Sequence, residues 1–197
     1  MNAASTCSLT FDDGPDPVWT PRVLDCLRRH QAPSTFFVMA DRARAHADLI
    51  ERMQREGHDV ELHCVRHVRH NELQEPALRA DTEQGLRTLA VLGTRVRRWR
   101  PPWGVVTEVT QRIAGENQLE VVGWSIDTED WRGESAAWMH DHIEDDLGAG
   151  AIVLMHDGIG PGARRAGCHE TVELIPRLVA TLADRGLTPV PLSENAE

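Results

Sequence analysis

Residues 6–15 read TCSLTFDDGP. The first six are β-formers and read as a strand. Asp12 and Asp13 place two carboxylates at its end, and Gly14-Pro15 turns the chain sharply. Outward from this segment, short apolar runs alternate with longer amphipathic ones. The pattern predicts helices over 21–30, 42–56, 76–92, 107–117, 135–147 and 171–185. Thr20 is the expected N-cap of the first, with Pro21 at its first turn. Gly57, Gly93 and Gly186 close the second, third and last. Strands are expected over 34–38, 59–62, 96–100 (ended by Pro101-Pro102), 120–126, 151–155 and 189–192. Strands alternating with helices argue for an α/β fold with a parallel sheet. Seven such units in 197 residues predict a small, distorted (β/α) barrel of about seven strands, with a doubly wound open sheet as the alternative. No linker or internal repeat divides the chain. It is expected to be a single domain over 1–197, with its core at about 6–192.

The composition narrows the chemistry. Asp and Glu outnumber Arg by 31 to 21, for a formal charge of −10, which argues against nucleic acid or an anionic membrane face as a partner. The chain has no Lys and no Tyr, so Schiff-base catalysis and a tyrosine acid or nucleophile are excluded. Cys7, Cys26, Cys64 and Cys168 are scattered with no C-x-x-C pair, the pattern of reduced, buried thiols rather than a cysteine zinc site. The segment from Met1 to Ser8 lacks the basic and apolar regions of a signal peptide, and no apolar run reaches transmembrane length. As it stands the chain is expected to be cytoplasmic, although one trimmed of an export signal would read the same. Oligomeric state is not encoded legibly.

The reactive residues fall in register with the predicted strands. Asp12 and Asp13 follow the first, His63 and His67 the third, Arg100 ends the fourth, Asp127 and Asp130 follow the fifth, and His156 and Asp157 the sixth. The carboxyl ends of strands are where (β/α) barrels carry their chemistry. Residues scattered for solvation alone would not fall there so consistently.

Each group has a bland reading beside the chemical one. An Asp-Asp-Gly-Pro turn taken alone is more often solvated than catalytic. His63 and His67 are spaced i, i+4, which would place both imidazoles on one side of a helical turn. With ten His in the chain, one such pair is weak evidence. A third ligand such as Asp13 would complete an open site suited to zinc or a similar divalent ion. Arg100 at a strand end could grip a buried carboxylate bidentately. A lone buried His156 would usually be a core residue, but an Asp partner makes it a usable acid.

Jointly, TFDDGP, HCVRH, RPPWG, DTEDW and LMH, in this order, resemble the polysaccharide deacetylases of the NodB-homology type, carbohydrate esterase family 4. The likeness spans nearly the whole chain. It implies a NodB-like barrel and a metal-dependent hydrolase that removes N-acetyl, or O-acetyl, groups from a sugar such as a chitooligosaccharide or peptidoglycan N-acetylglucosamine. A small acetamido metabolite is the alternative substrate, and an inactive binding protein the remote one. The resemblance makes Asp13, His63 and His67 the ligands of a divalent metal, most simply Zn2+, with Co2+ or Ni2+ as alternatives. Asp12 would be the base, held by Arg100. The Trp103 N–H would contribute to an oxyanion hole. His156 would be the acid, oriented by Asp127, with Asp130 a lesser helper. Trp131 and Leu154 would wall the acetyl pocket. Two positions depart from the family pattern. Cys64 replaces a Ser or Thr and is expected to loosen the loop carrying His67. Glu61-Leu62 replaces Gly-Asn, and Glu61 is expected to face solvent. The Arg164-Arg165 pair is expected in a flexible surface loop at the mouth.

Overall fold

The computed structural model describes residues 5–195; residues 1–4, the start of the segment read for a signal peptide, and 196–197 lie outside them. Eight strands and seven α-helices follow one another among these residues. In chain order they are β1 (Thr6–Asp12), α1 (Trp19–Arg29), β2 (Thr35–Met39), α2 (Ala40–Ala45), α3 (Ala47–Arg55), β3 (Asp59–Cys64), α4 (Glu75–Val91), β4 (Arg98–Trp99), α5 (Glu108–Glu116), β5 (Glu120–Val121), β6 (Ile126–Asp127), α6 (Ala136–Ile143), β7 (Ile152–His156), α7 (His169–Asp184) and β8 (Thr188–Pro189). Every ladder is parallel. The main path runs β5-β4-β3-β2-β1-β7-β6, with β8 pairing to β1 beside it.

The fifth expected strand is in fact two. β5 closes one edge of the path and β6 the other. Only residues 122–125 lie between them. Laid flat, seven strands would separate those edges by about 29 Å, from six spacings of roughly 4.8 Å. The link from Val121 to Ile126 reaches under about 20 Å even when extended. The sheet must therefore curl, and it forms a half-barrel with helices outside.

Burial follows the topology. β1 sits at the centre and is buried along its whole length although its sequence alternates: Cys7, Leu9 and Phe11 enter the core, while the Ser8 and Thr10 hydroxyls donate to the Val190 and Val153 carbonyls. Leu9, Phe11, Phe36, Val38, Leu62, Trp99, Val153 and Met155 join residues of α1, α4 and α7 in one continuous core. All four cysteines are buried free thiols, as expected from their spacing. No helix among the described residues is long and apolar enough to cross a membrane.

Three local expectations are corrected. The second helix breaks into α2 and α3 at His46, whose φ of −131° and ψ of 55° leave the helical region. Thr20 lies inside α1 rather than capping it. Its hydroxyl accepts from the Asp16 N–H and donates to Asp157, a buried tertiary contact. Glu61 does not face solvent. It is 3% exposed, and its Oε2 accepts from the N–H groups of Arg97 and Arg98, both at 2.8 Å. The β3–β4 ladder has a single register pair, Leu62 with Trp99, so this carboxylate supplies acceptors that the short ladder lacks. Glu61→Ala should leave two amides without their acceptor and cost roughly 2–4 kcal/mol, given about 1–3 kcal/mol for each buried group left unpaired. Urea unfolding of the two proteins checks this.

Candidate active site

β1 ends in Asp12 and continues into Asp13, whose φ of 73° turns the chain into the left-handed region. That reversal lets two neighbouring carboxylates serve different partners. Asp13 Oδ1 lies 3.4 Å from His63 Nε2 and 3.2 Å from His67 Nε2. The three side chains form a cluster whose ligand atoms all lie within 4.8 Å of one another. The two histidines are not on one helical turn, as the spacing suggested. His63 is on β3 and His67 in the loop that follows.

The residues present fit a divalent cation. Asp13 Oδ1 is buried with no hydrogen-bond partner. His63 Nδ1 lies 2.6 Å from the Arg100 carbonyl. A carbonyl only accepts, so Nδ1 carries the proton and Nε2 turns a lone pair to the cluster. The electrostatics favour positive charge at the cluster. Burial raises the Asp13 carboxyl, but His63 and His67 overturn that and hold it well below the usual range. Burial alone would lower His63, yet Asp12 and Asp13 raise it. One aspartate and two imidazoles is a donor set that zinc, cobalt or nickel accepts, and it leaves positions open.

Asp12 faces the other way. Arg100 Nη1 donates to Asp12 Oδ1 at 2.9 Å and to Thr10 Oγ1 at 2.8 Å, while Nη2 donates to the Gly123 carbonyl at 2.7 Å. The grip is therefore shared among three acceptors and is not the bidentate fork expected. Arg100 is fully buried and lies over the Phe37 ring at 4.1 Å. Burial lowers its pKa and Asp12 supports its charge.

On the opposite side β7 ends in His156. Its Nδ1 lies 2.7 Å from Asp130 Oδ1. This corrects the expected partner: Asp130, not Asp127, holds the imidazole. Asp130 is 1% exposed, and its carboxyl falls to about 2, because His156 and Arg165 outweigh the burial that would raise it. His156 rises to about 9, burial opposing and Asp130 prevailing. Asp127 instead accepts the Glu129 N–H and lines the cleft, with its carboxyl raised by burial.

A cleft of about 390 Å3 joins the two halves. Asp12, Asp13, His63, His67 and His156 reach into it, and Trp103, Trp124, Trp131 and Leu154 wall it. Trp103 sits in a left-handed turn, φ 53°, with its ring against the edge of His67, centroids 4.1 Å apart.

Sequence reading missed Asp81 and misplaced Arg165, both of which support this site. Asp81, from α4, accepts the N–H groups of Val65 and Arg66 at 2.9 and 3.0 Å. The loop carrying His67 is thus tied down despite Cys64, contrary to expectation. Only its spacing within an amphipathic helix, a carboxylate on the buried face, could have singled it out. Arg165 is not a loose mouth residue. Its side chain is 5% exposed and paired to Asp130 at 2.8 Å.

The polysaccharide deacetylase family matches residues 2–122. A chitooligosaccharide deacetylase of Sinorhizobium fredii is 33% identical, with the alignment covering 98% of this chain and 92% of the relative. Among solved structures, the Bc1960 peptidoglycan N-acetylglucosamine deacetylase is similar at TM-score 0.90 and 29% identity, over 97% of this chain and 87% of that one. A family 4 carbohydrate esterase from Streptomyces lividans, in complex with acetate, is similar at TM-score 0.84 and 27% identity, over 93% and 91%.

The loop after β7 presses on the cluster without side chains: a methyl group on Gly160 would overlap Asp13 Oδ2. Gly160→Ala should weaken zinc binding at least tenfold while leaving the unfolding midpoint of the metal-free protein nearly unchanged. Isothermal titration with Zn2+ and thermal unfolding in chelator measure the two effects.

Proposed function

The chain belongs to the polysaccharide deacetylase family, and on that premise we propose that it hydrolyses the N-acetyl group of an amino sugar, releasing acetate and a free amine. One observation carries this reading. The Asp13, His63 and His67 cluster lies between an arginine-held carboxylate and an aspartate-held histidine in a single cleft. A base on one side and an acid on the other is what amide hydrolysis needs. The relatives named chitooligosaccharide and peptidoglycan N-acetylglucosamine deacetylase make an N-acetylglucosamine oligomer the first substrate to test, and the tryptophans that line the cleft offer it apolar surface.

Asp12 accepts the proton of the attacking water, and its hydrogen bond to Arg100 keeps one oxygen engaged and the other free for that task. A divalent ion held by Asp13, His63 and His67 would polarise the scissile carbonyl and ease ionisation of the water. The Trp103 N–H, at its left-handed turn, is the protein's candidate donor to the developing oxyanion. His156, protonated through neutral pH, passes its Nε2 proton to the departing nitrogen, which leaves poorly as an amide anion. Leu154 and Trp131 take the acetyl methyl.

Acetate release by zinc-reconstituted protein, with and without chelator, across N-acetylglucosamine oligomers, acetylated xylan and small acetamido compounds tests the reading. Chelator-sensitive release from the oligomers supports it. Release from the small compounds alone moves the substrate to a metabolite. No release from a metal-loaded protein refutes it. Asp12→Asn should keep the metal and lose turnover by roughly 100-fold or more. The acid form of His156 is the working one and is lost as pH rises towards about 9. A cation beside Asp13 would draw that limb lower by offsetting the Asp12 and Asp13 charges. The profile of kcat/KM should therefore fall on the alkaline side, and His156→Ala should abolish that limb.

A further inference from the structure

The acid side of the cleft contains a guanidinium that no part of the reaction above uses. Arg165 is buried in the loop after β7 and spends four donor contacts on that side alone. Nη1 donates to Asp130 Oδ2 at 2.8 Å and to Thr171 Oγ1 at 2.5 Å. Nη2 donates to the His156 carbonyl at 3.0 Å and the Gly158 carbonyl at 3.2 Å. Thr171 in turn donates to Asp130 Oδ2 at 2.7 Å, and the His156 N–H donates to the same oxygen at 2.9 Å. Three donors thus converge on Oδ2. Oδ1 is left to face Nδ1 of His156.

We propose that Arg165 is a positioning residue for the acid, fixing the Asp130 carboxylate so that only Oδ1 meets His156 Nδ1 and Nε2 is left to deliver the proton in the cleft. The same guanidinium binds the backbone on both sides of Asp157. It therefore sets the place of the imidazole along β7 as well as its rotation. A carboxylate with one oxygen saturated and immobile cannot swivel to offer the other, and the imidazole it orients cannot turn away from the leaving nitrogen. Thr171 alone would hold Oδ2 by one rotatable hydroxyl. The planar fork adds the direction.

The inference rests on the proposed deacetylation, and its test separates the two. An amide nitrogen must be protonated to leave, whereas the phenolate of 4-nitrophenyl acetate leaves unaided. Arg165→Met should lower kcat for an N-acetylglucosamine oligomer roughly 10- to 100-fold, the size of effect that outer partners of metal-binding histidines carry. KM, zinc content and 4-nitrophenyl acetate turnover should stay within a few fold. Parallel loss on both substrates would mark a merely structural role, and unchanged amide turnover would also overturn the proposal. Arg165→Lys, which keeps the charge and loses the fork, carries the same readout should the methionine variant not fold, and a wild-type ratio of amide to ester rates in it would equally overturn the proposal. His156→Ala is the reference. If it spares the ester and Arg165→Met does not, the Arg165 inference alone fails. If it loses both reactions alike, the acid role itself fails and the inference falls with it.

Discussion

The four residues between Val121 and Ile126 are the constraint on which the site depends. They join the two edges of a seven-strand path over a distance that a flat sheet would not allow. Curling brings the end of β4 round to face the end of β7. Arg100 then reaches Asp12 from one side, and it also holds the bridge itself through the Gly123 carbonyl. A buried arginine is costly unless its donors are satisfied. Here the acceptors are the Asp12 carboxylate, one threonine of the central strand and one carbonyl of the closing link. The charge that steadies Asp12 thus also steadies the curvature of the barrel.

The site is an arrangement of charges that would repel one another without their separators. Asp12, Asp13, Asp130 and Asp157 are all buried at the ends of neighbouring strands or in the turns after them. Asp12 has Arg100, and Asp130 has Arg165 and His156. Asp157 has only the Thr20 hydroxyl among side chains, and burial pushes it up to about 7. Asp13 has two imidazoles and one unpartnered oxygen. Of the four it is the one whose surroundings suit a cation rather than a proton or an arginine, because the two groups facing it are imidazoles, which can themselves ligate a metal.

The strand-end logic was legible because β1, β3, β4 and β7 each carry their reactive group at the carboxyl end, so the buried run and the polar residue are adjacent in sequence. The partner of each group was not. Asp127 and Asp130 lie three residues apart and read alike. The left-handed turn at Glu129, φ 53°, decides which of them points at His156, and nothing in the composition of the segment announces it. The same holds for Glu61. A charged residue departing from the family pattern was expected to face solvent, but its outcome depended on how short β4 would be, a tertiary fact. Arg165 was misread for a related reason. The glycine-rich surroundings of residues 158–167 resemble a mobile loop, whereas Gly158, Gly160 and Gly167 serve close approach.

That last point ties the loop to the cluster around Asp13. Gly158 and Gly160 pass so near Asp13 that a side chain at either would collide, with its carbonyl in the first case and its carboxylate in the second. Arg42 spans the gap, donating to the Asp13 carbonyl at 2.8 Å and to the Ile159 carbonyl at 2.9 Å. Asp13 itself occupies a backbone region that costs a non-glycine residue roughly 1–2 kcal/mol. Such a conformation persists when its surroundings over-determine it. Arg42 from α2, the β1 ladder behind and the bare loop in front together do so. The chain keeps a strained aspartate where a glycine would be comfortable because only a carboxylate at that turn can meet both histidines while its neighbour meets Arg100.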